Sequence, residues 1–369
     1  MQIRGRQLAF TWIGCFLGAG FVSGQEISQF FTHFGLPGLV GQIGAVVLLS
    51  LLCGVIFTLS RRTGRSQVHE VAVPTDNRVL KALAGGIAVC FMYGIYVVMC
   101  AGAGTLLEQL TGSGTLRLVG GVVFCALITW IATRGMGGAV RVFSRIMPLL
   151  VILSLVVVAA ALAVFGRNGI QFVPAATRNP VVNHWLLAAV TFVSYNLLCA
   201  LGTLSSLGTM ARSDRDIRVG AALGGVILLV ISLGINGAMA ALPASTSAEL
   251  PMLYLAQQLS PVLEGIYALV ILLGMFGASM SVFVPVPQYL FRFRRLEGHP
   301  VLVPVVLSVG AFFLSQVGFS DLIGTLFPVF GFLGFVFIGG ILCNAWRALR
   351  KKSQAEEVTV TGGGHGTNQ

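Results

Sequence analysis

The sequence predicts an all-α polytopic membrane protein of ten transmembrane helices, arranged as two sets of five with opposite orientation. Three observations predict it: an apolar composition, basic residues confined to alternate loops, and two spans interrupted by glycine at corresponding depths. Apolar residues make up 56% of the 369 and charged residues 9%, against about 25% charged in soluble domains. Mean hydropathy is +0.90. So little charge cannot cover a water-facing surface. Apolar runs of about 20 residues, each able to cross a bilayer core, recur along the chain instead.

Those runs give spans at 8–33, 38–60, 80–107, 116–133, 146–166, 184–210, 219–241, 262–290, 300–317 and 321–346. Gly35 and Pro37 bound the second, Pro148 lies near the start of the fifth and Pro300 opens the ninth. With the N-terminus in the cytoplasm and the helices alternating, only Arg117, Arg167 and Arg178 of the 23 Lys and Arg fall outside. The rest lie on the cytoplasmic side, as short retained loops require, and one helix more or fewer in the middle would scramble the split. Both termini are then cytoplasmic.

The same dispersal excludes a nucleic-acid partner despite the net charge of +11, since the cations form no single patch. The seven cysteines all lie in apolar segments without a CxxC pair and read as small buried hydrophobes. No metal, cofactor or disulfide framework is predicted. The first apolar run holds Gly18, Gly20, Ser23, Gly24, Gln25 and Glu26 and lacks a cleavage site, so it reads as a retained helix, not a signal peptide. The chain divides into 1–170, 171–348 and a polar tail, 349–369, expected to be disordered. Loop 242–261, with Pro243, Pro251 and a leucine stripe, is expected to hold a short helix over the outer mouth. Five helices followed by five make the second set inverted, as in inverted-repeat carriers.

The first span reads Gly14-Cys15-Phe16-Leu17-Gly18-Ala19-Gly20-Phe21-Val22-Ser23-Gly24-Gln25-Glu26. Each glycine costs roughly 1 kcal/mol against alanine within a helix. Four in eleven residues either permit close packing or unwind the helix. Unwinding frees peptide groups that need partners in lipid, and an ion and a polar solute can supply them. In the sixth span, Ser194, Tyr195 and Asn196 precede Gly202 and Gly208, so this helix is expected to break at a matching depth.

The run Gly18-Ala19-Gly20-Phe21-Val22-Ser23-Gly24-Gln25-Glu26, followed by Gln29-Phe30-Phe31, resembles the opening motif of the YkvI-like membrane proteins, and Ser194-Tyr195-Asn196 resembles them too. That family is similar to the amino acid–polyamine–organocation superfamily. The resemblance implies the LeuT-type fold of five plus five helices with the first and sixth broken, and cation-coupled uptake across a bacterial inner membrane. It assigns no substrate.

Under that resemblance Gly18, Ala19, Gly20, Ser23, Gly24, Ser194, Tyr195, Asn196 and, from the third span, Tyr96 are candidate ligands of a small polar solute such as an amino acid or related zwitterion. Tyr93 shares a face with Tyr96. A sodium site would draw on carbonyls near Gly18 and Phe21 and on Ser279 or Ser281 of the eighth span. Glu26 alone among twelve acidic residues has long apolar sequence on both sides. It is either a proton or cation partner or an acceptor for amides of a broken sixth helix. An ionised Glu26 would oppose a solute carboxylate in the same turn, so it faces away, is protonated, or the solute has no carboxylate there. The coupling ion is Na+ or H+.

Two other classes stand beside a symporter: a solute sensor that moves nothing, and an intramembrane enzyme, for which no HExxH motif and no histidine beside Ser23 is present. Nothing in the sequence sets the oligomeric state.

Overall fold

The computed structural model describes residues 3–64, 78–133, 138–172, 174, 179, 181–291 and 298–362. Each of the ten expected segments coincides with helix. The first is three pieces: α1 (Gly5–Phe16), α2 (Ala19–Val22) and α3 (Gln25–Phe30). There follow α4 (Leu36–Thr63), α5 (Arg78–Thr111), α6 (Gly114–Thr133), α7 (Gly138–Phe165), α8 (Trp185–Met210) and α9 (Asp214–Ala241). Next come the short α10 (Pro251–Leu259), then α11 (Pro261–Phe283), α12 (Pro285–Leu290), α13 (Leu302–Ser315) and α14 (Phe319–Gly362). Among the described residues there is no strand, only an isolated bridge between Ile3 and Ala211.

Among the described residues six helices are individually long and apolar enough to cross a membrane: α4, α5 from Gly85, α6, α9, α11 with α12, and α14 up to Cys343. The bent α8 makes a seventh. The chain is a multi-span membrane protein. Its outward residues are apolar, among them Val47, Leu51, Val123, Val226 and Val336, as contact with lipid requires.

Small residues set the packing around the first helix. α1 lies on α9, where Gly220 and Gly224 leave room for Leu8 and Trp12. The Trp12 indole donates to the Gly220 carbonyl at 2.9 Å, and Ser50 of α4 donates to the Ala221 carbonyl at 2.8 Å. α8 is held between α4 and α14. Gly208 approaches the Phe57 backbone, and Gly331 and Gly334 of α14 face Thr191 and Ser194. Such close contacts replace the hydrophobic drive that lipid does not supply.

The sixth span is interrupted at Gly202, as a 65° bend between Trp185–Leu201 and Thr203–Met210, with helical backbone retained from Trp185 to Met210. The Ser205 hydroxyl donates to the Leu201 carbonyl at 2.7 Å, so a polar group at the bend is satisfied within the helix. α14 runs to Gly362, through a segment rich in Lys, Gln, Ala and Glu, which are strong helix formers. Residues 363–369 lie outside the described residues, as do Arg65, Arg134, Arg178, Arg292, Arg294 and Arg295 of the basic loops. In 242–261 a 3-10 turn over Pro243–Ser247 precedes α10, whose Met252, Leu253, Leu255 and Ala256 are buried.

Candidate functional site

The first helix breaks twice. α1 ends at Leu17, whose ψ of 55° leaves the helical range. α2 ends before Gly24, which takes φ 83°, a left-handed conformation that favours glycine. A side chain there would also press on Met252 and Met239. The carbonyls freed around the second break are met by protein. Val22 accepts from the Tyr267 hydroxyl of α11 at 2.8 Å, and Ser23 accepts from the Met252 amide of α10 at 2.9 Å. The Ser23 hydroxyl donates to the Gly20 carbonyl at 2.9 Å. Ser23 and Gly24, expected among the solute ligands, are therefore engaged in holding the break, and α10 has its reason for being buried.

Glu26 opens the first turn of α3 and is 6% exposed. Its carboxylate leans back over Gly20, with Cδ 3.1 Å from where a Cβ on that glycine would stand. Glu26 therefore does not face away from the break. Its partner is the Tyr195 phenol of α8, which donates to Oε2, and not the backbone amides of a broken sixth helix. Phe30, Phe192 and Phe327 surround Tyr195 with ring centroids 5.3, 5.6 and 4.8 Å away. Tyr195 is thus the one member of Ser194-Tyr195-Asn196 that reaches the first helix. Ser194 donates to the Gly331 carbonyl of α14 at 2.6 Å, and the Asn196 amide returns to its own helix at Phe192, 2.9 Å away.

Tyr96 is buried with its hydroxyl 2.8 Å from Ser308 of α13 and its ring stacked on Phe283 at 4.1 Å. Tyr93 donates to the Leu307 carbonyl at 2.8 Å. Both phenols face the α13 side, where α5, α6 and α13 are joined by Thr129 as well. Ser279 is fully buried in α11, and its Oγ has no hydrogen-bond partner among the described residues. α11 packs directly on α2. The side chains of Ser281 and Ala19 lie outside the described residues.

The break is closed on one side and open on the other. On the α3 side Gln25 and Gln29 both donate to the Ser320 hydroxyl of α14, at 2.5 and 2.9 Å. Asn179 donates to the Gln29 side chain at 3.3 Å, and its own amide donates to His33 at 3.2 Å. Thr32, Asn236 and Gln42 form a second buried chain linking the end of the first helix to α9 and α4, at 2.9 and 2.5 Å. Sequence reasoning missed both chains. Their signal was present in amides set singly within apolar helices, but nothing in the sequence says which meets which.

On the N-terminal side Gln7 and Thr11 of α1 are exposed and Cys15 and Gly18 half-buried. A Cβ on Gly14 or Gly18 would meet open space. Facing them, Cys199, Thr203 and Ser206 of α8, spaced i, i+4, i+7, are exposed, while the Cys15 thiol donates to the Thr11 carbonyl of its own helix at 3.5 Å. Small and polar residues thus line this side of α1 and the facing part of α8.

Comparison with known proteins accords with this geometry. No family model matches the chain. It is 30% identical over 353 residues to the uncharacterised membrane protein YkvI of Bacillus subtilis (strain 168), covering 94% of this chain and 97% of that one. Among solved structures it is similar to MhsT in complex with L-phenylalanine, with TM-score 0.62 at 18% identity over 94% of this chain and 93% of that one. It is also similar to a substrate-bound, outward-open Na+-coupled sialic acid symporter, with TM-score 0.58 at 12% identity over 93% and 79%. At such identities the likeness establishes the fold, which is the LeuT type. The first helix broken at Leu17 and Gly24, the bent α8 beside it and the full-length match to YkvI agree, and the chain belongs to the YkvI-like membrane protein family.

Proposed function

We propose that this protein is a cation-coupled secondary transporter of a small polar solute, with the solute and cation meeting at the interrupted first helix. One observation carries the reading: of the buried hydroxyls without a hydrogen-bond partner among the described residues, that of Ser279 is fully buried on the helix that packs against α2. Leaving a buried hydroxyl unpaired costs about 1–3 kcal/mol. A hard cation is the partner that a hydroxyl and nearby peptide carbonyls suit, since such ions take oxygen ligands. The similar symporter is Na+-coupled, which makes sodium the first choice here.

In this reading ten spans form two inverted sets, residues 1–170 and 171–348, with both termini cytoplasmic in a bacterial inner membrane. The helix contacts agree with such a repeat. The first helix packs on the seventh (α1 on α9) and the sixth on the second (α8 on α4), and a five-helix shift exchanges these two pairs. The polar faces of α1 and α8 then form a cytoplasmic path, while the Gln25–Ser320–Gln29 lock and the aromatic cluster shut the outer side. The solute is an amino acid or a related molecule bearing an ammonium. The protein acts without a cofactor and is not an enzyme.

The test is uptake into proteoliposomes under an imposed inward sodium gradient, using solutes first chosen by thermal-shift screening. Accumulation that needs the sodium gradient and is not replaced by a proton gradient supports the reading. Binding without accumulation makes the protein a sensor, and accumulation driven by protons alone removes sodium.

A further inference from the structure

We infer that Glu26 receives a positively charged nitrogen of the solute, and that the carrier binds amines more tightly than the amino acids that differ from them by an α-carboxylate. This rests on the transporter reading and gives it a substrate class. Among the described residues Glu26 is the only acidic residue buried as a whole, no Lys or Arg side chain is buried, and no ion pair includes Glu26. Its hydrogen-bond partner is one phenol, and its carboxylate hangs over the backbone break at Gly20. A carboxylate in such a place wants a cation.

Three features choose an organic ammonium over an alkali ion. First, the Tyr195 side of Glu26 is aromatic, with Phe30, Phe192 and Phe327 around the phenol. Rings attract ammonium groups through their faces but do not supply the several oxygens an alkali ion needs. Second, an unpaired buried hydroxyl that suits an alkali ion lies on another helix, at Ser279 of α11. Third, a Cβ on Gly14 or Gly18 would meet open space, and Thr11, Cys199 and Thr203 are exposed, so that side of the first helix has room for a group larger than a bare ion. A solute carboxylate brought to the same turn would meet Glu26 as a like charge. Decarboxylation of the solute removes that repulsion and keeps the attraction.

The experiment compares 2-phenylethylamine with phenylalanine and isoamylamine with leucine, by calorimetric titration of the purified full chain in detergent with sodium present. The amine of at least one pair is expected to bind roughly tenfold tighter than its amino acid, and Glu26→Gln to weaken that amine by roughly tenfold or more. If Glu26→Gln does not fold, the wild-type comparison decides by itself. Tighter binding of the amino acid in both pairs, or no amine binding at millimolar concentration, overturns the proposal. So does undiminished amine binding by folded Glu26→Gln, which would leave Glu26 neutral in the bound state and a carrier of protons. Uptake separates this from the broader reading. Amines that bind through Glu26 but never accumulate preserve this site and defeat the transporter, whereas amino acids that accumulate without competition from amines do the reverse.

Discussion

Placing a methyl group at Gly20 tests the geometry of the break with the smallest possible change. In Gly20→Ala the new Cβ would lie 3.1 Å from Glu26 Cδ and 3.2 Å from Cγ, and nearer still to Oε1. Ordinary carbon–oxygen contact needs the carboxylate oxygen to retreat by roughly 1 Å. Glu26 cannot do so and keep its bond from Tyr195, which reaches it from the neighbouring helix. A hydrogen bond to a charged group is worth about 1.5–3 kcal/mol, while alanine returns up to about 1 kcal/mol of helix propensity in α2. The net cost to stability is therefore about 0.5–2 kcal/mol, a modest fall in thermal midpoint, whereas solute affinity falls about 10–100-fold as the carboxylate is displaced. The double-mutant cycle isolates the cause. On a Glu26→Ala background the obstruction is gone, and Gly20→Ala should be neutral or stabilising by up to about 1 kcal/mol. Thermal unfolding in detergent and solute titration measure both quantities. An equal penalty in both backgrounds, or wild-type affinity in Gly20→Ala, would refute the reasoning.

Three further outcomes follow from other contacts. Gly224→Ala drives a methyl into the Trp12 indole, a rigid buried ring; it should cost about 1–3 kcal/mol by overpacking, seen as a lower midpoint that Trp12→Phe partly restores. In single-cysteine versions a water-soluble maleimide should label exposed Cys199 readily and buried Cys53 hardly at all; equal rates would contradict an open N-terminal face. Glu249 accepts from Thr105 and from the Phe319 amide, both at 3.0 Å, and lies 3.7 Å from Arg117. Glu249→Gln should therefore loosen the segment that leads into α10 by about 1 kcal/mol, a figure lowered by the group's partial exposure, and speed amide exchange across residues 251–259.

Hydropathy and glycine content carried most of the helix pattern. All ten apolar runs are helical, because in lipid a backbone must bond within itself. The glycines of the first span mark its two breaks to within a residue or two, since a left-handed turn at Gly24 needs one. In the sixth span Gly202 likewise marks the interruption, which takes the form of a 65° bend, with the Ser205 hydroxyl donating to the Leu201 carbonyl across it. Composition does not distinguish a bend from an unwound stretch.

The candidate site was legible only in part, and for a related reason. Helical spacing says which residues share a face but not which neighbour that face meets. Glu26 was visible as the sole acid within an apolar span; its partner Tyr195 was visible as polar, yet their pairing depends on how α8 crosses α3. Ser194 and Asn196 looked equivalent to Tyr195 in sequence, but one turns to α14 and the other to its own helix. Tyr96 is drawn to Ser308 by a hydroxyl on a different helix. The lock of Gln25 and Gln29 on Ser320 joins residues almost 300 positions apart, which no local pattern announces.

Sodium recognition at Ser279 bears most directly on the proposed coupling. The measurement is the thermal midpoint of purified wild-type and Ser279→Ala protein in sodium chloride and in potassium chloride at equal ionic strength. A bound ion stabilises by about 2.7 kcal/mol at a hundred times its dissociation constant, so wild type should melt higher in sodium. Ser279→Ala should lose that increment while melting no lower in potassium, because the hydroxyl removed is buried without a partner among the described residues. A sodium increment that survives the substitution, or none in wild type, would contradict a cation site at the break.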